Sequence, residues 1–161
     1  MKTLIIYYSE NGTTKLISET IAKSLSCYIC EIKDLKKRNG IMNKLSSTID
    51  AYRETKTKIY PSSLNLSEFD IIYFGTPTWV NNPTPAINTI IDNCNLVGKD
   101  IVLFSVDSEN EIALDKMESK VKARGGRVIE RFTLKTKNKS ETQIILDTES
   151  LIQVLDLNLY K

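Results

Sequence analysis

The decisive stretch of the chain is Tyr7-Tyr8-Ser9-Glu10-Asn11-Gly12-Thr13-Thr14, which stands between an apolar run and a helical pattern. The preceding residues, Leu4-Ile5-Ile6, are all aliphatic, which is typical of a strand buried on both faces. After the stretch, apolar residues recur at helical spacing, at Ile17, Ile21 and Leu25. The chain is therefore predicted to turn from a strand into a helix through small and polar residues.

A turn of this kind points the free backbone N–H groups at the start of a helix toward one spot, where they favour an anion. Further hydroxyl and amide donors come from Ser9, Asn11, Thr13 and Thr14. Gly12 permits a positive φ or close backbone approach. These neutral donors suit a phosphate monoester, since each hydrogen bond to a charged group contributes about 1.5–3 kcal/mol. On this stretch alone, an ordinary N-capped helix remains an alternative interpretation.

The composition predicts one domain spanning residues 1–161, because 161 residues with 41% hydrophobic content are enough for a full core. No apolar run approaches membrane-spanning length, and the first one ends at Ser9, too soon for an export signal. We therefore expect a cytoplasmic protein with no membrane partner. A net charge of +2 and one short basic run, Lys36-Lys37-Arg38, give no indication of nucleic-acid binding.

Histidine is absent from the sequence, which excludes Ser-His-Asp triads, Cys-His pairs and histidine zinc sites. Cys27 and Cys30 form a Cys-x-x-Cys pattern, but they lie in the strand pattern Cys27–Ile32. Residues three apart on a strand face opposite sides of a sheet, so we predict neither a redox nor a metal role for the pair. Cys94 is expected in the core or at a helix end. The sequence thus predicts no catalytic side chain and no metal site.

Strand and helix patterns alternate along the chain. The predicted strands are Leu4–Ile6, Cys27–Ile32, Asp70–Gly75, Ile101–Val106 and Arg127–Leu134. Later helices are predicted over Ile41–Arg53, from Thr84-Pro85 through Ile91, around Leu114–Val121 up to Gly125, and over Ser140–Leu157. This alternation predicts an α/β protein with a five-stranded parallel sheet and helices on both faces.

In parallel sheets of this class, ligands bind outside the carboxyl ends of the strands. Three loops, Ser9–Thr14, Thr76–Asn82 and Asp107–Glu111, follow predicted strands and should lie at that edge. The first loop suits a phosphate and the second carries the only tryptophan, Trp79. The pattern therefore favours a nucleotide with a flat ring as the ligand.

Two of these stretches resemble motifs of flavodoxins and flavodoxin-like FMN proteins. Ser9–Thr14 is similar to the family's phosphate loop, Ser/Thr-x-Ser/Thr-Gly-x-Thr, with Asn11 in place of the commoner hydroxyl. Asp70–Trp79 is similar to the family's third strand and ring-binding loop, Tyr-Asp-x-Ile-x-x-Gly-x-Pro-x-Trp. The resemblance covers nearly the whole chain, and it implies a flavodoxin-like three-layer sandwich with strand order 2-1-3-4-5.

The resemblance also implies FMN as the cofactor. Its phosphate would lie at the first loop and its isoalloxazine ring at the second, with Trp79 packed on the ring, while the third loop would contact the ring edge or the ribityl chain. The implied cofactor-binding residues are Ser9, Glu10, Asn11, Gly12, Thr13, Thr14, Thr76, Pro77, Thr78, Trp79, Val80, Asn81, Ser105, Val106 and Asp107.

The chain departs from the family pattern beside the ring. Many flavodoxins have a glycine directly after the ring-contacting aromatic residue, where this chain has Val80. Many also carry a second aromatic residue in the loop after the fourth strand, where this chain has Ser108–Glu111. Electron-carrier flavodoxins are typically strongly acidic, whereas this chain is nearly neutral.

By this resemblance we expect electron transfer through a bound flavin, with redox partner proteins or a small-molecule electron acceptor, in a monomer or weak homodimer. One alternative is an NAD(P)H-dependent FMN or quinone reductase, although we see no basic cluster in the ring-side loops. Another alternative is a flavin-free interaction module on the same fold. Within segment 33–66, partner docking through Lys36, Lys37 and Arg38 is a further hypothesis.

Overall fold

The computed structural model describes residues 1–36 and 56–159, with side chains described as far as residue 155. In chain order the elements are β1 (Thr3–Tyr7), α1 (Thr13–Leu25), β2 (Tyr28–Glu31), β3 (Lys33–Asp34), β4 (Ile59–Tyr60), β5 (Ile71–Trp79), β6 (Asn82–Pro83), α2 (Pro85–Asn93), β7 (Asp100–Val106), α3 (Ile112–Ala123), β8 (Arg127–Leu134) and α4 (Glu141–Leu159). The helix predicted over Ile41–Arg53 lies outside the described residues, as do Lys37 and Arg38.

Five of the strands form a parallel sheet in the order β2-β1-β5-β7-β8. Numbered within this sheet alone, the strands have the predicted order 2-1-3-4-5, so the predicted fold class is confirmed. The register places Ile5 between Ile29 of β2 and Tyr73 of β5. On the far side, β5 pairs with β7 from Ile71 as far as Pro77.

Alternate residues of the central strands enter two separate hydrophobic cores, because side chains alternate across a strand. On one face, Ile6 and Phe74 pack with residues of α2 and α3, namely Ile87, Ile90, Ile91, Leu114, Met117 and Val121. On the other face, Ile5 and Tyr73 pack with residues of α1 and α4, namely Ile17, Ile21, Ile144, Ile152 and Leu155. The sheet is thus the middle layer of three. Among the described helices, none combines the length and apolar character needed to cross a membrane.

Strand β5 is longer than the sequence predicts. The prediction ends it at Gly75, but the ladder with β7 continues through Thr76 and Pro77. Thr78 and Trp79 then pair with the two residues of β6 in an antiparallel hairpin. Threonine favours extended backbone, and the continuing register with β7 outweighs the turn signal of Pro77. The strand therefore carries Trp79 beyond the sheet edge on an ordered hairpin.

Gly75 has a packing role in the middle of this strand. A Cβ placed on it would lie 2.1 Å from the ring of Phe104 on neighbouring β7. Phe104 is fully buried, and its ring stacks on Phe132 with the centroids 5.5 Å apart. Glycine at this position therefore makes room for an aromatic pair in the core beneath the cleft.

The cysteines lie as predicted. Cys27 packs against the core on the α1 side and Cys30 against the opposite core. Burial raises the pKa of Cys27 to about 11 and also raises the pKa of Cys30. Cys94 is both buried and the C-cap of α2. The predicted start of α2 is also confirmed, with Thr84 as N-cap and Pro85 as its first residue.

Candidate functional site

The carboxyl ends of β1, β5 and β7 meet around one cleft of about 170 Å³. The residues that line it are Glu10, Asn11, Thr13, Thr14, Pro77, Thr78, Trp79, Val106 and Asp107. Every one of them belongs to the predicted set. The fold thus brings all three predicted loops to the same edge of the sheet, as the parallel topology requires.

The loop between β1 and α1 is ordered by its own side chains. The Ser9 hydroxyl oxygen accepts hydrogen bonds from the backbone N–H groups of Gly12 at 3.1 Å and Lys15 at 3.2 Å. The Asn11 amide oxygen accepts one from the backbone N–H of Thr13 at 3.2 Å. Gly12, with a φ of 92°, lies in the left-handed region. Ser9 and Gly12 therefore shape this loop but are not among the residues that line the cleft.

The donor chemistry of the loop fits a phosphate monoester. Thr13 and Thr14 line the cleft at the first turn of α1, where helix N–H groups favour an anion. The Asn11 amide oxygen accepts the hydrogen bond from Thr13, which fixes the orientation of the amide, and the NH₂ group of the same amide can donate to a ligand. Within the described part of the chain, no atom beyond Gly12 and its two chain neighbours lies within 4 Å of a Cβ placed on Gly12, so a ligand can approach the backbone there.

Trp79 is held at the opposite wall of the cleft. Its indole Nε1–H donates a hydrogen bond to a carboxylate oxygen of Glu10 at 3.0 Å. The Tyr8 ring meets it edge to face, with the centroids 6.0 Å apart. The neighbouring Thr78 hydroxyl donates to the backbone oxygen of Val106 at 3.1 Å, which ties this strand to β7. Tyr8 was not among the predicted site residues, although an aromatic side chain directly after β1 was a signal for it.

The turn after Trp79 has unusual backbone geometry. Val80 and Asn81 both have positive φ, at 48° and 60°, and they form the two-residue connection between β5 and β6. The Asn82 amide NH₂ donates to the Val80 carbonyl at 2.9 Å, and its amide oxygen accepts from the Lys116 ammonium at 2.5 Å. Val80 and Asn81 were predicted to contact the cofactor, but they are exposed and are not among the residues that line the cleft.

Thr76 and Ser105 lie beneath the cleft and are fully buried. The Thr76 hydroxyl accepts from the backbone N–H of Thr84 at 3.1 Å, and Ser105 shares a 2.8 Å hydrogen bond with Thr133. Both were predicted to contact the cofactor. The Thr76 hydroxyl bonds the N-cap residue of α2 and the Ser105 hydroxyl bonds β8, and neither residue is among those that line the cleft.

Asp107 connects the cleft to the loop after β8, which holds none of the predicted site residues. Its carboxylate accepts hydrogen bonds from the backbone N–H and the hydroxyl of Thr136, both at 2.6 Å. Lys135, beside Thr136, donates to the backbone oxygen of Ser108. The fold therefore brings Lys135 and Lys116 to the ring-side loops, where the sequence shows no basic cluster.

The cleft combines phosphate donors on one wall with an aromatic residue on the other, which fits FMN. Its volume of about 170 Å³ is below the roughly 300–1,000 Å³ typical of small-molecule pockets. A ligand larger than this volume would extend to the protein surface.

Structural comparison finds the same fold in several solved proteins. A candidate flavoprotein from Bacteroides uniformis has a TM-score of 0.71 at 24% identity, covering 90% of this chain and 96% of that one. A flavoprotein in complex with FMN from Lactobacillus acidophilus has a TM-score of 0.66 at 20% identity, covering 82% and 92%. Oxidised flavodoxin 2 from Bacillus cereus has a TM-score of 0.54 at 20% identity, covering 95% and 98%. At these identities the likeness shows the fold.

Sequence comparison gives the family. No curated protein sequence matches the chain. The family model described as flavodoxin, however, matches residues 2–146. That match spans all three loops of the cleft and every strand of the sheet, as the resemblance of Ser9–Thr14 and Asp70–Trp79 predicted. The chain belongs to the flavodoxin family.

Proposed function

We propose that this chain binds FMN and transfers electrons through the bound flavin. The observation that carries the proposal is the cleft itself, where the donors of the first loop face Trp79 from β5. Membership of the flavodoxin family supports a flavin as the cofactor. The FMN complex of the fold relative from Lactobacillus acidophilus supports FMN in particular.

In this proposal the bound flavin supplies the electron chemistry, and the chain binds and orients it. Asn11, Thr13 and Thr14 hold the phosphate at the start of α1. Trp79 would pack on the ring, and the hydrogen bond from its indole to Glu10 orients the Trp79 side chain. No side chain has to move a proton, which agrees with a sequence that contains no histidine.

The small volume of the cleft would leave part of a bound flavin at the protein surface, which supports electron exchange there. A partly exposed flavin can reach either a redox partner protein or a small-molecule acceptor without a channel through the protein. We accordingly propose a redox partner protein or a small-molecule acceptor. We further propose that the protein acts in the cytoplasm, as a monomer or weak homodimer. A redox titration tests the proposal directly, because a potential too high for any low-potential donor would contradict the role of electron carrier.

Flavin retention tests the site. The purified protein is mixed with FMN, excess FMN is removed, and the visible absorbance spectrum is recorded. We expect retained flavin in the wild type and an affinity about 10- to 100-fold lower in Thr14→Val, which loses one hydrogen bond to a charged group. Thr20→Val is the matched control, because Thr20 lies on the same helix and its hydroxyl bonds the Leu16 carbonyl. Absence of flavin in the wild type would favour the flavin-free interaction module.

A second candidate function is an NAD(P)H-dependent reductase of quinones or free flavin. It is favoured by the exposed Lys135 and Lys137, which follow β8 beside the ring-side loop and could attract a nucleotide phosphate. Steady-state oxidation of NAD(P)H with a quinone acceptor separates the two functions. Sustained turnover would establish the reductase, whereas its absence would leave the electron carrier as the better proposal.

A further inference from the structure

In the turn Val80-Asn81, the β-branched residue Val80 has a backbone conformation that disfavours its side chain. A two-residue hairpin connection with positive φ at both positions is the geometry in which Asn-Gly and similar pairs are strongly preferred. A β-branched residue with φ of 48° is a genuine outlier, because its Cβ substituents crowd the backbone. Such a conformation persists only where the surrounding structure enforces it.

Among the described residues, Asn82 and Lys116 provide hydrogen bonds that reach this turn. Asn82 is only 3% exposed, and its NH₂ group donates to the carbonyl oxygen of Val80 at 2.9 Å. Its amide oxygen accepts from the ammonium of Lys116 on α3, at 2.5 Å. The two hydrogen bonds therefore connect α3 to the strained turn.

The orientation of the Asn82 amide follows from which of its two partners can donate and which can accept a hydrogen bond. A lysine ammonium can only donate and a carbonyl oxygen can only accept, so the Asn82 amide satisfies both in one orientation alone. Lys116 thereby selects the orientation in which the NH₂ group meets the Val80 carbonyl. The positive charge also polarises the amide, which strengthens the second hydrogen bond.

We propose that Asn82 and Lys116 are positioning residues for the flavin: together they hold the Val80 turn, and with it Trp79, in the conformation that receives the ring. This inference rests on the proposed binding of FMN and adds two residues to its site. Lys116 also places a positive charge beside the turn that follows Trp79, and this charge would favour the added negative charge of a reduced flavin. Its role is thus both steric and electrostatic.

The test uses Lys116→Met in the full chain, with Lys122→Met as the matched control. Lys122 lies on the same helix, about 9 Å further along by helical rise, and pairs with Glu118. We expect Lys116→Met to bind FMN about tenfold more weakly and to lower the midpoint potential of the bound flavin. Lys122→Met should match the wild type in both measurements, and Lys116→Arg, which keeps the charge and the donor, should restore most of the affinity.

A second pair of variants isolates the role of strain. Val80→Gly removes the steric strain of positive φ at position 80, so the turn conformation no longer depends on the hydrogen bonds of Asn82 and Lys116. Lys116→Met should therefore cost clearly less FMN affinity in the Val80→Gly background than in the wild-type background. Circular dichroism of each variant checks that the fold is retained.

The outcomes separate the two proposals. If the wild type retains no FMN, the proposed function fails and this inference fails with it. If the wild type and Lys116→Met bind FMN with equal affinity and equal potential, the proposed function stands and only the positioning role is overturned. An equal loss of affinity from Lys116→Met in the wild-type and Val80→Gly backgrounds would likewise overturn the proposal that the two residues hold a strained turn.

Discussion

The indole of Trp79 donates a hydrogen bond to the carboxylate of Glu10 at 3.0 Å, so the second wall of the cleft is joined directly to the first. The two residues are 69 positions apart in the sequence. Glu10 is the one acidic residue within the loop from Ser9 to Thr14. A carboxylate there would repel a bound phosphate, and the bond to Trp79 directs the Glu10 carboxylate toward the Trp79 wall of the cleft.

We expect Glu10→Ala to change the environment of Trp79, because the indole loses its hydrogen-bond acceptor. Trp79 is the only tryptophan in the chain, so the fluorescence emission reports on it directly. Glu10→Gln keeps an acceptor oxygen and should change the emission much less. Glu19→Ala, on the exposed face of α1, is the control and should leave the spectrum unchanged. Identical spectra for Glu10→Ala and the wild type would contradict the bond in solution.

Gly75→Ala should destabilise the protein by about 1–3 kcal/mol, as overpacking of a core does. The added methyl group would collide with the buried ring of Phe104. Chemical denaturation measures the free energy of unfolding. Phe104→Leu makes room for the methyl group, so Gly75→Ala should cost less in that background than in the wild type. Equal costs in both backgrounds would show that the collision is not the cause.

Asp107→Ala should destabilise the protein by about 1–2 kcal/mol, because it removes the carboxylate that binds Thr136 and leaves alanine at a φ of 55°. Asp107→Asn should cost less, since asparagine tolerates positive φ and keeps one acceptor oxygen. Urea denaturation measures both variants. Glu109→Ala in the same exposed loop is the control and should be nearly neutral. Equal losses for the two Asp107 variants would contradict this account.

Stability should fall as the pH rises from about 9 toward 11. Burial raises the pKa of Cys27 from 9.0 to about 11, so the folded chain keeps a proton that the unfolded chain releases in this range. The stabilisation is therefore complete below pH 9 and is lost as the pH passes through the folded value. Burial also raises the pKa of Tyr7, which adds to the loss above pH 10. Denaturation midpoints of the wild type and Cys27→Ser, compared at pH 8, 9.5 and 10.5, should show a shallower decline in the variant. Parallel declines would rule out this role for Cys27.

Most of the fold follows from patterns that are local in the sequence. Runs such as Leu4–Ile6 and Ile101–Phe104 are apolar throughout because both faces of their strands are covered, and this predicts a central parallel sheet. The pairs β3–β4 and β5–β6 were not predicted, since a two-residue strand is too short to show any periodicity. The extension of β5 depended on its register with β7, a tertiary property.

The candidate site was predictable where it consists of loops at strand ends, and unpredictable where it depends on contacts between distant elements. Lys116 and Asn82 are 34 positions apart, and Thr136 and Asp107 are 29 apart. No local pattern connects such pairs. A motif places Thr76 in the ring-binding loop, whereas its hydrogen bonds to Thr84 join it to the start of α2, eight positions further along the chain.

In the parallel sheet, the carboxyl ends of the strands carry the cleft, and the amino ends lie on the opposite side of the molecule. Val97, which is 68% exposed, lies in the turn before β7, and the cleft lies beyond the other end of that strand, about 23 Å away by strand rise. A Val97→Cys variant would carry an exposed thiol, whereas burial raises the pKa of Cys27, Cys30 and Cys94 and keeps them less reactive. Coupled to a gold electrode through that thiol, the protein would stand with its cleft toward the solution, oriented by its own topology.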